Sequence, residues 1–105
     1  MGTSQLKIFT SLILGFSMNF NNATKVSRTG RYSIGIEEET GKYWISFPVR
    51  NWIVEDEECY ELTATEFDLF SSDLDKAKEL VERCRQRLED QRLLRQPFQP
   101  RGYPC

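Results

Sequence analysis

The sequence contains no histidine among its 105 residues. Histidine is the commonest general base and the commonest metal ligand in proteins. Its absence also excludes the nucleophiles that a Ser-His or Cys-His pair activates. A GxGxxG motif and a phosphate-binding loop are missing as well, and these are the usual sequence signatures of nucleotide binding. We therefore expect a protein that is not an enzyme and that carries no cofactor.

Cysteine is scarce, and its pattern indicates no metal or redox site. Cys59, Cys84 and Cys105 are odd in number and widely spaced. Without a CxxC pair they signal neither a zinc site nor a dithiol redox motif. Reduced thiols are typical of a cytosolic protein, so we expect a cytoplasmic location.

A long apolar run is also missing. The most apolar stretch, Leu6 to Phe16, is too short and too interrupted by polar residues to span a bilayer, and we expect no membrane partner. Three interpretations of this stretch stay open. The working chain opens at Met18 after a non-native start, or the stretch forms a short element packed on the core, or it is a secretion signal whose cleavage site is spoiled by Asn21.

The length is that of one domain. We divide the chain into an uncertain N-terminal extension (1–18), a single α+β domain (19–96) and a proline-rich tail (97–105). Residues 19–30 are polar and rich in turn formers, which is typical of a lead-in segment. Because the tail is terminal and rich in proline, we expect it to be extended or loose.

Strand patterns dominate the middle of the chain. Apolar residues alternate with polar ones at residues 31–37 and again at 43–47, which is typical of half-buried strands. Gly41 between them supplies the positive φ that a tight hairpin needs, and Pro48 marks the strand's end or a sheet edge. A third strand is predicted from Glu57 to Leu62, which completes an antiparallel meander.

Helical patterns follow. The sequence TATE, Thr63 to Glu66, is a capping box and predicts a short helix from Ala64 to Phe70. A longer helix is predicted from about Asp73 to Arg95, with Leu88 at the end of its apolar stripe. The predicted fold class is therefore α+β: a three-stranded antiparallel meander packed against one long C-terminal amphipathic helix, with a short preceding helix.

Charge is unevenly distributed along the chain. From Glu37 to Asp75 there are twelve acids against two bases, and from Lys76 onward there are eight bases against four acids. Four acids are consecutive, Glu55 to Glu58. Because neighbouring side chains of an extended strand point to opposite sides, these acids cannot converge on one ion, and no metal site is predicted.

The acidic cluster instead predicts a protein-binding surface. We expect the acids to adjoin one another on neighbouring strand ends, beside exposed indoles, because aromatic residues anchor interfaces and charges steer partners. The partner would be a basic protein, and the role that of an acidic inhibitor or immunity-type protein. This hypothesis assumes that the acids and arginines are segregated; intermingled charges together with two buried indoles would contradict it. The predicted partner-binding residues are Glu37, Glu39, Trp44, Trp52, Glu55, Asp56, Glu57 and Glu58.

Two alternatives stay open, besides a purely solubilising role for the acids at a sheet edge. The arginine-rich second half of the predicted long helix would suit a nucleic-acid-associated regulatory module, although the acidic surplus repels phosphate. An adaptor that forms a homodimer through a sheet edge is the third hypothesis. The alternative nucleic-acid-binding residues are Arg83, Arg87, Arg92 and Arg95.

Three stretches of the sequence carry a resemblance to other proteins. The run TGRYSIGIEEETGKYWISFPV, residues 29–49, the later run VERCRQRLEDQRLL, and the dipeptide Arg101-Gly102 resemble small single-domain bacterial proteins of unassigned function. The resemblance implies a self-contained bacterial module and carries over no functional residues. The segment before Met18 looks foreign to that pattern, which favours the later start. Size and acidity are similar to those of bacterial toxin-neutralising immunity proteins, without a shared motif.

Overall fold

The structure, a computed structural model, describes residues 22–97 and 99–105. Over these residues it has the α+β architecture that the sequence predicts, with an antiparallel sheet of five strands and two α-helices. Strands β1 to β4 are neighbours in sequence order, and β5 pairs with β3. The elements are β1 (Ala23–Ser27), β2 (Tyr32–Ile36), β3 (Tyr43–Arg50), β4 (Glu55–Leu62), α1 (Ala64–Ser72), α2 (Lys78–Arg85) and β5 (Tyr103–Pro104).

The β2–β3 hairpin is confirmed. Ile34 pairs with Ile45 across it, and Gly41 in the connecting turn has a φ of +73°. Pro48 does not end β3, which continues to Arg50. Towards the end of β3, the last residue that pairs with β2 is Ser46, whose partner is Ser33. Pro48 lies beyond this pair, so its missing amide proton leaves no β2 carbonyl without a donor.

Strands β1 and β5 were not predicted from the sequence. The stretch Ala23–Ser27 was predicted as a polar lead-in, yet it pairs with β2 along the edge of the sheet. Four of its five residues are exposed, so no apolar alternation marks it. β5 has only two residues and forms through tertiary contacts that no local pattern encodes.

The predicted long helix from Asp73 to Arg95 does not form as one element. A 3-10 helix, Leu74–Ala77, leads into α2, and a second 3-10 helix, Asp90–Arg92, follows a turn. Arg87 in that turn has a φ of +63°, and Leu88, placed on the apolar stripe by the pattern, is exposed. Tertiary pairing overrides helix propensity here, because the chain must turn to reach the free edge of β4.

That edge of β4 is occupied by the returning chain. Leu93 forms an isolated bridge with Tyr60, and the Leu94 amide donates to the Cys59 carbonyl at 2.9 Å. An edge strand with unpaired amides and carbonyls is a site of unwanted association. The segment after α2 therefore covers the edge of β4 instead of continuing as a helix.

The core lies between one face of the sheet and the helices. Ile34, Ile45, Phe47 and Tyr60 pack in one cluster with the buried residues of both helical segments. The rings of Phe47 and Tyr60 are stacked with centroids 5.6 Å apart. The helical residues of this cluster are Phe70, Ala77, Val81 and Cys84. Within the described ranges, no helix is long and apolar enough to cross a membrane.

Removing the helix cap gives the first test. The capping box is confirmed: the Thr63 hydroxyl accepts from the Glu66 amide at 3.1 Å, and the Glu66 carboxylate accepts from the Thr63 amide at 2.8 Å. Thr63→Ala should lower the free energy of unfolding by about 1 kcal/mol, measured by urea denaturation. Thr65→Ala, an exposed change inside α1, is the matched control. Equal effects of the two changes would contradict the assignment.

Candidate functional site

The four consecutive acids lie on β4 and point alternately to the two faces of the sheet. Asp56 pairs with Val49 and Glu58 with Phe47, so both lie on the helix-covered face. Glu55 pairs with Arg50 and Glu57 with Pro48, and both lie on the opposite face. The cluster is therefore divided into two pairs with different surroundings.

Glu58 is buried and holds the C-terminal tail. Its residue is 5% exposed, and its two carboxylate oxygens accept from Nε and Nη2 of Arg101, both at 2.9 Å. The Tyr60 hydroxyl donates to the same carboxylate at 2.7 Å. A bidentate arginine–carboxylate pair of this kind fixes geometry as well as charge. Burial and the bond to Glu58 raise the pKa of the Tyr60 phenol.

Arg101 also binds a second carboxylate. Asp90 accepts from Nη1 at 2.7 Å and from Nη2 at 2.8 Å. These hydrogen bonds lower the pKa of Asp90 and raise that of Arg101. One guanidinium thus joins β4, the segment after α2 and the tail.

The tail is therefore tied to the domain: of the two predicted states of residues 97–105, extended or loose, the described residues form the extended strand β5 and are held by specific contacts. A Cβ on Gly102 would lie 2.9 Å from the Arg50 amide nitrogen, so only glycine allows this approach. Arg87 donates to the Gly102 carbonyl at 3.1 Å and lies over the ring of Tyr103 at 5.8 Å. The Cys105 amide donates to the Pro48 carbonyl at 3.1 Å.

A second network surrounds Arg92. Its guanidinium donates to both oxygens of Glu66 at 2.9 and 3.1 Å and to Glu89 at 2.8 Å. Glu89 also accepts from Arg83 at 2.7 Å. Burial alone would raise the pKa of Glu66, but the bonds from Arg92 and Thr63 lower it. Bonds from Arg92 and then Arg83 lower the pKa of Glu89.

Acidic and basic side chains interleave, so the hypothesis of segregated charge is wrong. Asp56 pairs with Arg95 at 2.8 Å, and Glu55 pairs with Arg50 at 3.2 Å on the surface. The Asp56–Arg95 pair joins segments that are far apart in sequence, and the Glu55–Arg50 pair joins the two strands of a hairpin. Opposite charges attract most strongly where burial lowers the effective dielectric constant, and folding therefore neutralises much of the acidic surplus.

Three of the predicted partner-binding residues are buried. The indole of Trp44 is 1% exposed, against the prediction that it lies on the surface, and Glu37 is 0% exposed. Glu37 stabilises its own hairpin by accepting from the Thr40 amide and hydroxyl, each at 2.8 Å. Glu58 is the third. An alternating strand pattern shows which residues share a face, but it does not show whether that face is covered.

The predicted acidic patch is also divided in space. Glu37 and Glu39 flank the turn before Tyr43, at one end of β3, whereas Glu55 pairs with Arg50 at the other end. β3 has eight residues, and a strand rises roughly 3.3 Å per residue. The expectation that these acids adjoin is wrong, because the meander puts successive turns at opposite ends of the sheet.

The indole of Trp52 is exposed, as the sequence predicts. It lies with Ile53 at the tip of the β3–β4 turn, where the two side chains are 83% and 66% exposed. Asn51 holds this turn: its Oδ1 accepts from the Ile53 amide at 2.8 Å and the Val54 amide at 2.7 Å. Its Nδ2 donates to the Pro100 carbonyl at 2.7 Å. Glu55 and Glu57 are exposed beside the turn.

The four arginines of the nucleic-acid alternative all have partners inside the chain. Arg83, Arg92 and Arg95 pair with carboxylates, and Arg87 binds the tail. Phosphate recognition needs uncompensated positive charge. No observation on the described residues favours this alternative.

The two buried cysteines are poorly suited to nucleophilic chemistry. Burial raises the pKa of both the Cys59 and the Cys84 thiols to about 12, so neither forms a nucleophilic thiolate at neutral pH. Across residues 22–97 and 99–105, no cluster of acids and cysteines has the geometry to hold a metal ion.

Comparison of the chain with protein-family models, with curated proteins and with solved structures found no match. The resemblance to small bacterial proteins therefore stays a prediction.

Breaking the buried ion pair should be costly. Arg101→Gln leaves Glu58 and Asp90 without their cation, and loss of one member of a buried pair costs about 3–5 kcal/mol of unfolding free energy. Arg50→Gln removes an exposed pair whose side chains are 66% and 52% exposed, and should cost at most about 1 kcal/mol. Urea denaturation of both variants measures the difference. Similar costs would show that Arg101 is no anchor.

Acid should destabilise the fold through Glu66 and Asp90. Their pKa values are lower in the folded protein than the ordinary 4.5 and 3.8, so the unfolded chain binds more protons. The contribution of these two carboxylates to the free energy of unfolding is complete above their ordinary pKa values. It is lost as pH falls through their pKa values in the folded protein. Urea midpoints from about pH 7 to pH 3 should fall, less steeply in Glu66→Gln, which can still cap α1. Asp68→Asn is the control; an unchanged slope in Glu66→Gln would contradict this.

Proposed function

We propose that this chain is a non-enzymatic protein-binding module that contacts its partner through the β3–β4 turn. One observation carries the proposal: Trp52 and Ile53 are 83% and 66% exposed, side by side at the tip of one turn. Tryptophan is one of the residues enriched at the energetic centre of interfaces. Exposing two large apolar side chains together has no structural benefit to the isolated domain.

The turn is held in one conformation. Asn51 bonds two of its amides through the side chain, and the Asn51 amide donates to the Val54 carbonyl at 3.0 Å. The bond from Asn51 to the Pro100 carbonyl fixes the turn to the tail. A turn that is already ordered loses little conformational entropy on binding, and this favours affinity.

The charges beside the turn favour a basic partner. Glu55 and Glu57 are exposed next to it, with Arg50 as the nearby cation that pairs with Glu55. Acids around an apolar anchor raise the rate of encounter with a cationic surface and select against anionic ones. An inhibitor or immunity-type role, in which the chain covers a cationic groove of another protein, is consistent with this surface and needs no catalytic group.

The test begins with retrieval of a partner by the full-length protein, followed by measurement with that partner in purified form. Trp52→Ala should weaken binding by at least about 2 kcal/mol, as loss of a hot spot does, or roughly thirtyfold in Kd. Glu55→Gln with Glu57→Gln should slow association and reduce its salt dependence. Isothermal titration and stopped-flow mixing give the two readouts.

Leu88→Ala is the matched control, because Leu88 is another exposed apolar residue, 52% exposed, outside this turn. It should leave the affinity unchanged. The proposal fails if the wild-type protein retrieves no basic protein, or if Trp52→Ala binds the retrieved protein as tightly as the wild type does. Retention of nucleic acid by the wild type, lost in Arg83→Gln, would favour the alternative function instead.

A further inference from the structure

The sheet has a second buried face, opposite the helices. Trp44, Ser46 and Cys59 lie on it, because each alternates with a residue of the core cluster along its strand. Trp44 is 1%, Ser46 3% and Cys59 0% exposed. One layer of sheet with solvent on this face would leave an indole far more exposed than this.

The helices do not cover that face. Their buried residues all belong to the cluster on the other side, packed on Ile34, Ile45 and Phe47. Trp44 and Cys59 are buried but belong to no part of that cluster. Within the described part of the chain, no helical segment accounts for the burial of this second face.

The face combines one large ring with small neighbours. The indole of Trp44 lies across the neighbouring strand, where a Cβ on Gly35 would be 2.4 Å from Cζ2. Small side chains occupy the strand positions beside it, and the hydroxyls of Ser33 and Ser46 lie 3.3 Å apart and satisfy each other. A surface with one large ring and a floor of small residues accepts bulky apolar side chains with few unpaired polar groups.

The chain itself offers an occupant of suitable chemistry. The carbonyl oxygen of Asn22 lies 2.9 Å from the Cβ position of Gly35, so the described chain begins at the border of this face. The 21 residues before it include Leu6 to Phe16, in which seven of eleven residues are Leu, Ile or Phe. We propose that this apolar run covers the second face of the sheet, over Trp44 and Cys59. The sheet would then lie between two apolar layers.

The test uses the full chain and two probes that belong to it. Trp52→Phe leaves Trp44 as the remaining tryptophan, and Cys105→Ser leaves Cys59 on the second face and Cys84 beneath the helices. In this background, Leu12→Asp with Leu14→Asp should shift Trp44 emission to the red. Cys59 should react with a thiol reagent about tenfold faster or more, because an unpaired carboxylate cannot stay buried without a large penalty, while Cys84 stays protected.

Ser4→Asp with Gln5→Asp is the matched control, since it adds the same charge just outside the run and should change neither probe. The proposal is wrong if Leu12→Asp with Leu14→Asp leaves both emission and Cys59 reactivity unchanged. If Cys59 and Cys84 become reactive together, the variant has unfolded. A photo-crosslinking amino acid at position 12 of the otherwise intact chain then decides the question.

Crosslinks from position 12 to the β3 and β4 peptides within one molecule support the proposal. Crosslinks to the helices overturn it. Crosslinks between molecules, identified by mixing isotopically light and heavy protein, would show instead that a second copy covers this face, and would also overturn it. None of these readouts depends on the partner proposed for the Trp52 turn, so the two proposals fail independently.

Discussion

The structure depends most on one guanidinium, that of Arg101, which lies between the carboxylates of Glu58 and Asp90. A charge as buried as that of Glu58 is tolerated only when it is paired and hydrogen-bonded. This requirement brings the tail back to β4 and holds the segment after α2 against the same strand. Because Pro100 precedes the anchor and binds Asn51, the same ion pair indirectly fixes the turn that presents Trp52.

Pairing of charge inside the chain decides what is left for a partner. The acidic surplus between Glu37 and Asp75 is large in the sequence, yet much of it is matched by arginines that follow in the chain. The surface that stays distinctive is small: two exposed apolar side chains with two acids beside them. An interface of this kind owes its affinity to the anchor and its selectivity to the charges, and we place the proposed function there for that reason.

The two faces of the sheet show why a strand pattern is an incomplete guide. Alternation correctly separates Ile45 and Phe47 from Trp44 and Ser46, and from the pattern alone we expected the second set to be exposed. Both sets are buried, and under our proposal of a second apolar layer the sheet buries polar and small residues along with aromatic ones. The small residues on the second face, which look like surface residues in a one-sided sheet, are what allows close packing on it.

The sequence by itself determined the elements whose signals are local. The hairpin with Gly41, the strand ending at Leu62 and the capping box at Thr63 each follow from neighbouring residues, and each forms as predicted. Tertiary structure decided the rest. The helix ends at Arg85, β1 and β5 join the sheet, and the acids find their arginines, because unpaired strand edges and buried charges gain free energy only from partners distant in the chain.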